Sequence, residues 1–438
     1  MKQNNRSRFF AALIIFSLTG QIAWVVENMY FNVFLYKMFN ASATEISLMV
    51  SASAISATLT TLLIGALSDK LGKRRVFICG GYILWGISIL GFALIRRDVI
   101  GALFPAAASV SAVCITLVIV MDCVMTFFGS SANDACFNAW LTDVTNPGDR
   151  GRAEGINAMM PLVAILAVFG GFMSLDTGRM ESWTLIFCII GGAVILIGLL
   201  GFFLIEEPRI LTGENQGYFA NIFYGFRPSV IRANPGLYLY LGAFAVFGIS
   251  IQIFMPYLIL YYTVSLQMTD YVLVMAPAIV LAAIFTAFWG RVYDQKGFYA
   301  SVAPALLLLC VGYGILILTR TTLPVFLGSL LMMCGYLAGM AVFGAVIRDR
   351  TPANRSGMFQ GLRIVAQVLI PGVIGPALGA YVLRNAETVV NDDGTTSFVP
   401  NQGIFVTALI VALLLAVLLI LTYFLTKGRK KDEKASLN

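Results

Sequence analysis

Twelve stretches of about 20 mostly apolar residues recur along this chain, and that recurrence leaves few folds open. They lie at roughly 9–36, 44–67, 76–95, 114–142, 154–174, 183–205, 236–262, 271–290, 299–319, 323–347, 356–384 and 403–426. A helix of about 20 residues spans the hydrocarbon core of a bilayer. Composition supports the same reading, because 59% of the 438 residues are hydrophobic and 12% are charged. A soluble domain is nearer 45–50% apolar and about 25% charged. A soluble fold would have nowhere to bury this surface, and disorder is excluded by the same balance. The chain is therefore expected to be an all-α membrane protein with twelve transmembrane helices. Span 4 is too long to stand upright, so it tilts or breaks near Gly129-Ser130-Ser131. The apolar run after Arg8 continues past 20 residues without a small-residue cleavage site, so it reads as a retained first helix and not as a signal peptide.

Charge placement orients the spans. With both termini in the cytoplasm, 23 of the 29 basic residues fall on the inner side and 6 on the outer. That bias sets both termini inside. The net charge of +7 then reports membrane orientation, and no nucleic-acid partner is expected. Neither long glycosylated loops nor eukaryotic targeting signals are present, which points to a bacterial inner membrane. The 7 cysteines sit in apolar stretches without CxxC spacing, and the chain has no histidine. Ser-His-Asp catalysis, most zinc chemistry and histidine proton relays are thereby excluded. No Walker A loop, metal cluster or nucleophile-base pair is evident either, so neither an enzyme nor a cofactor is expected.

An internal repeat divides the chain. Gly65-Ala66-Leu67-Ser68-Asp69-Lys70-Leu71-Gly72 and Gly290-Arg291-Val292-Tyr293-Asp294-Gln295-Lys296-Gly297 share the pattern G-x3-D-x2-G at an offset of 225. The same offset places Glu27 on Gln252 and Tyr36 on Tyr261. At an offset of 206, Phe137, Ala139, Leu141, Asp143, Thr145 and Gly155 map onto Phe343, Ala345, Ile347, Asp349, Thr351 and Gly361. Two six-helix bundles follow, over 1–205 and 236–438, the second ending in a basic cytoplasmic tail. A cytoplasmic linker, 206–235, joins them. Its aromatic stretch Tyr218-Phe219-Ala220-Asn221-Ile222-Phe223-Tyr224 is either a short amphipathic helix on the membrane surface or an ordinary loop.

The run from Gly65 to Gly72, continued by Lys73-Arg74-Arg75, resembles the Gly-x-Leu-Ser/Ala-Asp-Arg/Lys-x-Gly-Arg/Lys-Arg/Lys motif of the major facilitator superfamily, and it lies between spans 2 and 3 as in that family. The resemblance implies two pseudo-symmetric six-helix domains that rock about a midplane site. It also implies a cytoplasmic conformational latch built from Gly65, Asp69, Gly72 and Arg74 with Asp294, Arg150 and Arg355. The tract Asn138-Ala139-Trp140-Leu141-Thr142-Asp143-Val144-Thr145, followed by Arg150, is similar to the span 4–5 junction of glycoside–pentoside–hexuronide and sucrose-type symporters. Span 2 carries no carboxylate before Asp69, unlike sodium-coupled carriers of the melibiose type, and span 4 has no arginine, unlike proton-coupled drug exporters. These absences lean towards uptake and towards protons.

Ionisable groups at membrane depth are costly, about 2.5–3.5 kcal/mol each on insertion scales, so each is read as functional first. In span 1, Gln21, Trp24, Asn28 and Asn32 follow helical spacing on one side, with Glu27 beside them. Between Trp24 and Phe31, a poorly solvated Glu27 is suited to carry a proton; the plain alternative is a structural carboxylate. Asp134 in span 4 is the second proton-coupling candidate. Asp122 shares a face with Thr126, Gly129 and Asn133, and its match to Gly328 near the outer end of span 10 puts it within reach of water. Gln360, Arg363 and Gln367 form one polar stripe in span 11. Arg363 there either faces substrate, pairs with a carboxylate, or snorkels to the interface. Gln252 and Tyr257 are the candidates in span 7.

Amides and aromatics suit a neutral polyol, whose hydroxyls need both donors and acceptors. The sequence thus points to a monomeric secondary transporter that takes up a sugar or glycoside with protons. Substrate binding is assigned to Gln21, Trp24, Asn28, Asn32, Asn133, Gln252, Tyr257, Gln360, Arg363 and Gln367. An exporter or carrier of amphipathic compounds or lipids is the first rival. A membrane sensor without transport is the second.

Overall fold

The computed structural model describes residues 3–145, 147–207, 224–268, 270–351, 361–391 and 394–435. Eleven helices among them are long and apolar enough to cross a membrane: Arg6–Phe39, Ala43–Ser68, Arg74–Phe92, Val110–Val144, Gly155–Phe172, Met180–Leu204, Pro235–Ser265, Tyr271–Leu318, Thr322–Arg350, Gly361–Leu383 and Gly403–Tyr423. Tyr271–Leu318 holds 48 residues, more than twice what a bilayer needs, and it breaks at Gly297, where φ is 77° and ψ is −175°. It therefore supplies both span 8 and span 9, which recovers the twelve expected spans.

Local chemistry sets the boundaries. Span 1 ends where Asn40 takes the left-handed conformation (φ 56°). Two residues later, Ser42 Oγ accepts the Glu45 N–H (3.3 Å) and Glu45 Oε2 accepts the Ser42 N–H (2.7 Å), a capping box that starts span 2. Gly72 closes that helix in the left-handed region (φ 63°), its N–H donating to Ser68 O at 3.0 Å. Gly297 is its match in the repeat and also has positive φ. The last glycine of both copies of the loop motif is therefore required by backbone geometry.

Among the described residues, four spans contain π-helical turns: Val26–Tyr30 in span 1, Ser130–Phe137 in span 4, Tyr261–Ser265 in span 7 and Val365–Leu369 in span 11. The turn in span 4 begins at Ser130, where the sequence suggested a break. Such wide turns rotate the register of everything that follows.

Two compact units emerge. One is Met1–Gly225 with Glu387–Val399; the other is Phe226–Ala386 with Pro400–Asn438. In the first, span 1 packs on spans 5 and 6, span 3 on span 6, and span 2 on span 4. In the second, span 7 packs on spans 11 and 12, and the helix of spans 8 and 9 on spans 10 and 12. The partners match through the repeat. A two-stranded hairpin, Thr388–Val390 paired antiparallel with Thr396–Phe398, belongs to the first unit. Tyr36 Oη donates to Phe398 O (2.6 Å), and Asn40 Nδ2 donates to Thr395 Oγ1 (2.6 Å). Most of the expected linker 206–235, including its aromatic stretch up to Phe223, lies outside the described residues.

Candidate functional site

The first unit gathers its polar side chains where spans 1, 2 and 4 meet. Glu27, 6% exposed, sits inside the π-helical turn of span 1. Its Oε1 accepts from Ser53 Oγ at 2.7 Å and from Thr126 Oγ1 at 3.0 Å. The two hydroxyls are 2.8 Å apart. Thr126 lies one turn along span 4 from Asp122, which is 1% exposed and also faces Ser53. The expectation that Asp122 meets water is thus corrected. Its depth along span 4 does not decide its exposure, because the side chain turns inward against span 2.

A second polar layer lies about two turns further along span 4. Half-buried Asp134 accepts from Ser130 Oγ (3.0 Å) and from Asn133 Nδ2 (3.2 Å). Asn133 Oδ1 in turn accepts from Tyr82 Oη (3.0 Å), whose ring is fully buried in span 3. Trp24 packs on Trp85 with ring centroids 4.9 Å apart. Gly129 lies beneath both indoles, and any side chain there would strike them. The sequence reading did not single out Ser53, Tyr82 or Trp85.

The rest of the span 1 set is split. Trp24 and Gln21 are half-buried, Asn28 is exposed, and Asn32 is 1% exposed. Asn28 Nδ2 donates back to Trp24 O (2.8 Å), and Asn32 Nδ2 to Asn28 O (3.0 Å). One shared face was expected from regular helical spacing. The π turn at Val26–Tyr30 breaks that spacing and rotates Asn32 into the packing.

The second unit carries no carboxylate at the positions matching Glu27, Asp122 and Asp134, which are Gln252, Gly328 and Met340. Gln252 is half-buried against Gly375. Tyr257 is fully buried, and its hydroxyl donates to Pro376 O at 3.3 Å. Its place is therefore in the contact of span 7 with span 11, not on an open face where a sugar could stack. Arg363 Nε donates to Gln367 Oε1 (3.3 Å), which keeps two members of the span 11 stripe together, and among the described residues Arg363 forms no ion pair. Gln360 lies outside the described residues.

The loop motif is held differently in each half. Arg74, 4% exposed, donates from Nε to Asp143 Oδ2 (3.0 Å) and from a terminal nitrogen to Ser68 Oγ. Its backbone N–H donates to Glu207 Oε1. In the second copy, Tyr293 Oη donates to Asp349 Oδ2 (2.5 Å), and Asp349 is the repeat partner of Asp143. Each loop is thus tied to the aspartate at the end of span 4 or span 10, by an ion pair in one half and by a phenol in the other. Gly65 faces Ala135 of span 4, so the motif's first glycine lies in the contact of spans 2 and 4. Asp294 lies in the second loop, two residues before Lys296. The side chains of Asp69 and Arg150, and all of Arg355, lie outside the described part. Among the described residues no three His, Cys, Asp or Glu side chains group as metal ligands.

Comparison with known proteins follows this geometry. Among solved structures, a bacterial homolog of the human lysosomal transporter Spinster in an inward-facing, occupied conformation is similar at TM-score 0.69 and 17% identity, covering 98% of this chain and 98% of that one. The nucleoside transporter NupG is similar at TM-score 0.67 and 13% identity, covering 93% and 98%. A partially occluded inward-open form of the xylose transporter XylE from E. coli is similar at TM-score 0.67 and 16% identity, covering 94% and 96%. No curated protein matches the sequence. At these identities the likeness establishes the fold. The model of the Major Facilitator Superfamily matches residues 9–376 and 281–437, and with a fold and a duplicated loop motif to suit, the chain belongs to that superfamily and is a membrane transporter of its type.

Proposed function

We propose that this transporter takes up a sugar or glycoside together with protons by alternating access. The observation that carries the reading is the asymmetry of the buried polar groups. Carboxylates sit among amides, hydroxyls and indoles in spans 1 to 4, while the repeat-matched positions of the second unit hold an amide and apolar groups. A buried carboxylate without a cation beside it gains most from exchanging a proton as its surroundings change. Half-buried amides and Trp24 offer the mixed donors, acceptors and flat apolar face that a neutral polyol requires. A likeness to a structure described as a D-xylose-proton symporter, at 15% identity and TM-score 0.64, gives distant support.

In this reading Glu27 is the coupling carboxylate, with Asp134 beside it. Gln21, Trp24, Asn28, Asn133, Gln252, Arg363 and Gln367 contact substrate. The Arg74–Asp143 and Tyr293–Asp349 ties belong to the latch. Both termini lie in the cytoplasm of a bacterial inner membrane, on the strength of the charge bias, and the transporter acts as a monomer.

The test is uptake by purified protein in proteoliposomes. A panel of neutral glycosides, nucleosides and hexuronates is offered with and without an imposed pH gradient, first free of sodium and then with a sodium gradient. Gradient-driven accumulation of a neutral glycoside supports the reading. Accumulation only with sodium, or movement of amphipathic compounds alone, removes it. The second possibility has one observation in its favour. An apolar groove of about 700 Å³ opens between spans 9 and 12, lined by Leu306, Leu307, Leu413 and Ile420 and flanked by Tyr299 and Tyr423. A groove of that character suits the chain of an amphipath.

A further inference from the structure

The hydrogen bonds around Glu27 leave a remainder. Ser53 and Thr126 both donate to Oε1. Among the described residues, Oε2 is buried without a partner, and so is Asp122 Oδ1. Both residues are more than nine-tenths buried. An orphaned buried acceptor is expensive, and an orphaned carboxylate oxygen more so. Two of them on neighbouring spans, both facing one serine, mark a place built for a ligand that supplies positive charge or a donor.

Surrounding charges do not supply it. Glu27 and Asp122 lie in each other's electrostatic field, and Asp134 adds a third negative group on the Glu27 side. No Lys or Arg among the described residues faces either carboxylate. Two ionised carboxylates cannot both persist in so apolar a site without a cation between them. The three oxygens Glu27 Oε1, Ser53 Oγ and Thr126 Oγ1 already satisfy one another through contacts of 2.7–3.0 Å, so the place left for a ligand is at Glu27 Oε2 and Asp122 Oδ1. A proton bound at either oxygen satisfies it with no further ligand.

We infer that Glu27 and Asp122 form a single proton-binding site and share one proton between them, with Ser53 and Thr126 keeping Glu27 Oε1 occupied. The proton binds at Glu27 Oε2 or Asp122 Oδ1, forms an O–H bond there, and turns an orphaned acceptor into a donor. On release the O–H bond breaks and the proton passes to water. The inference rests on the proton-coupled reading and deepens it. The partner of Glu27 becomes Asp122, a residue that sequence reasoning had left near solvent, and Asp134 becomes a neighbour that biases the pair.

The test needs no substrate. Protein reconstituted in liposomes is titrated with pH while the infrared band of protonated carboxyl groups is followed, for wild type, Glu27→Gln, Asp122→Asn and the charge-preserving Ser53→Ala. A shared proton makes the titrations interdependent. Asp122→Asn is expected to move the midpoint of the Glu27 signal by about one pH unit or more, and Glu27→Gln to move that of Asp122 comparably. Ser53→Ala keeps both carboxylates and shifts both, which covers the case in which a charge-removing variant does not fold. A Glu27 midpoint unmoved in both Asp122→Asn and Ser53→Ala overturns the pair. So does a titration displaced when sodium replaces choline, since the site would then take a metal cation. An interdependent titration without transport of any glycoside upholds the pair and removes the substrate reading. Proton-driven glycoside uptake with independent titrations removes the pair and leaves that reading intact.

Discussion

At matched positions the first half places Glu27, Ser53, Asp122, Thr126 and Asp134, and the second half places Gln252, Ala278, Gly328, Met332 and Met340. Every ionisable or hydroxyl group of the cluster becomes an amide, a methyl, a hydrogen or a thioether across the repeat. The scaffold is kept meanwhile. Span 1 packs on span 5 as span 7 packs on span 11, and Gly72 and Gly297 both hold positive φ. Backbone packing and loop geometry can thus be duplicated while the chemistry is confined to one copy. A membrane makes this economical, because each buried charge weighs against insertion and a second set would double that penalty.

The strongest way to break the comparison is to move the charge. Glu27→Gln is expected to abolish gradient-driven accumulation in proteoliposomes while leaving exchange of labelled for unlabelled substrate. Adding Gln252→Glu is not expected to restore it, because Ala278 and Met332 stand where Ser53 and Thr126 serve Glu27. Restored accumulation would show that either half can hold the coupling group.

The loop ties should differ in strength. Arg74→Met removes an ion pair whose arginine side chain is 5% exposed and whose aspartate is 30% exposed. The cost is about 2–4 kcal/mol, below that of a fully buried pair because Asp143 is partly solvated. Tyr293→Phe removes one hydrogen bond at the matched place and costs about 1 kcal/mol. Denaturation midpoints of the two variants in one detergent compare them, and an equal loss would contradict the difference in burial.

Backbone effects of similar size follow at the glycines. Gly297 has φ 77° and ψ −175°, a region that essentially only glycine enters, and Gly297→Ala should cost about 1–3 kcal/mol. Gly72, at φ 63° and ψ 24°, is in the ordinary left-handed region, and its alanine variant should cost about 1 kcal/mol. The smallest effect is expected for Tyr257→Phe, which loses a 3.3 Å hydrogen bond to Pro376 O and should cost under about 1 kcal/mol. Substrate affinity should be unchanged in that variant. A large loss of affinity would return Tyr257 to the binding face.

Much of the architecture was legible because it depends on length and repetition. Apolar runs set the spans, and the two G-x3-D-x2-G loops set the duplication. Glu27 stood out as a charge in an apolar run. Its partners did not. Span 2 carries Ser47, Ser51, Ser53, Ser56, Thr58, Thr60 and Thr61, and no spacing rule selects Ser53 from that series. The repeat gave Asp122 a depth along span 4, but the facing of its side chain depends on packing against span 2. Periodicity also fails across the π turns, where Asn28 and Asn32 part to opposite environments. The hairpin 388–398 joins the first unit through Tyr36 and Asn40, a contact between residues some 350 positions apart that local sequence does not encode.

The central claim, that the coupling charge resides in the first half and drives uptake of a neutral glycoside, is tested most directly by transport current from wild-type protein. The protein is reconstituted without sodium and challenged with neutral glycosides at several pH values. The account predicts an inward positive current that weakens as protons become scarce at high pH and is lost in Glu27→Gln. A current indifferent to pH, or one that persists in Glu27→Gln, would contradict it.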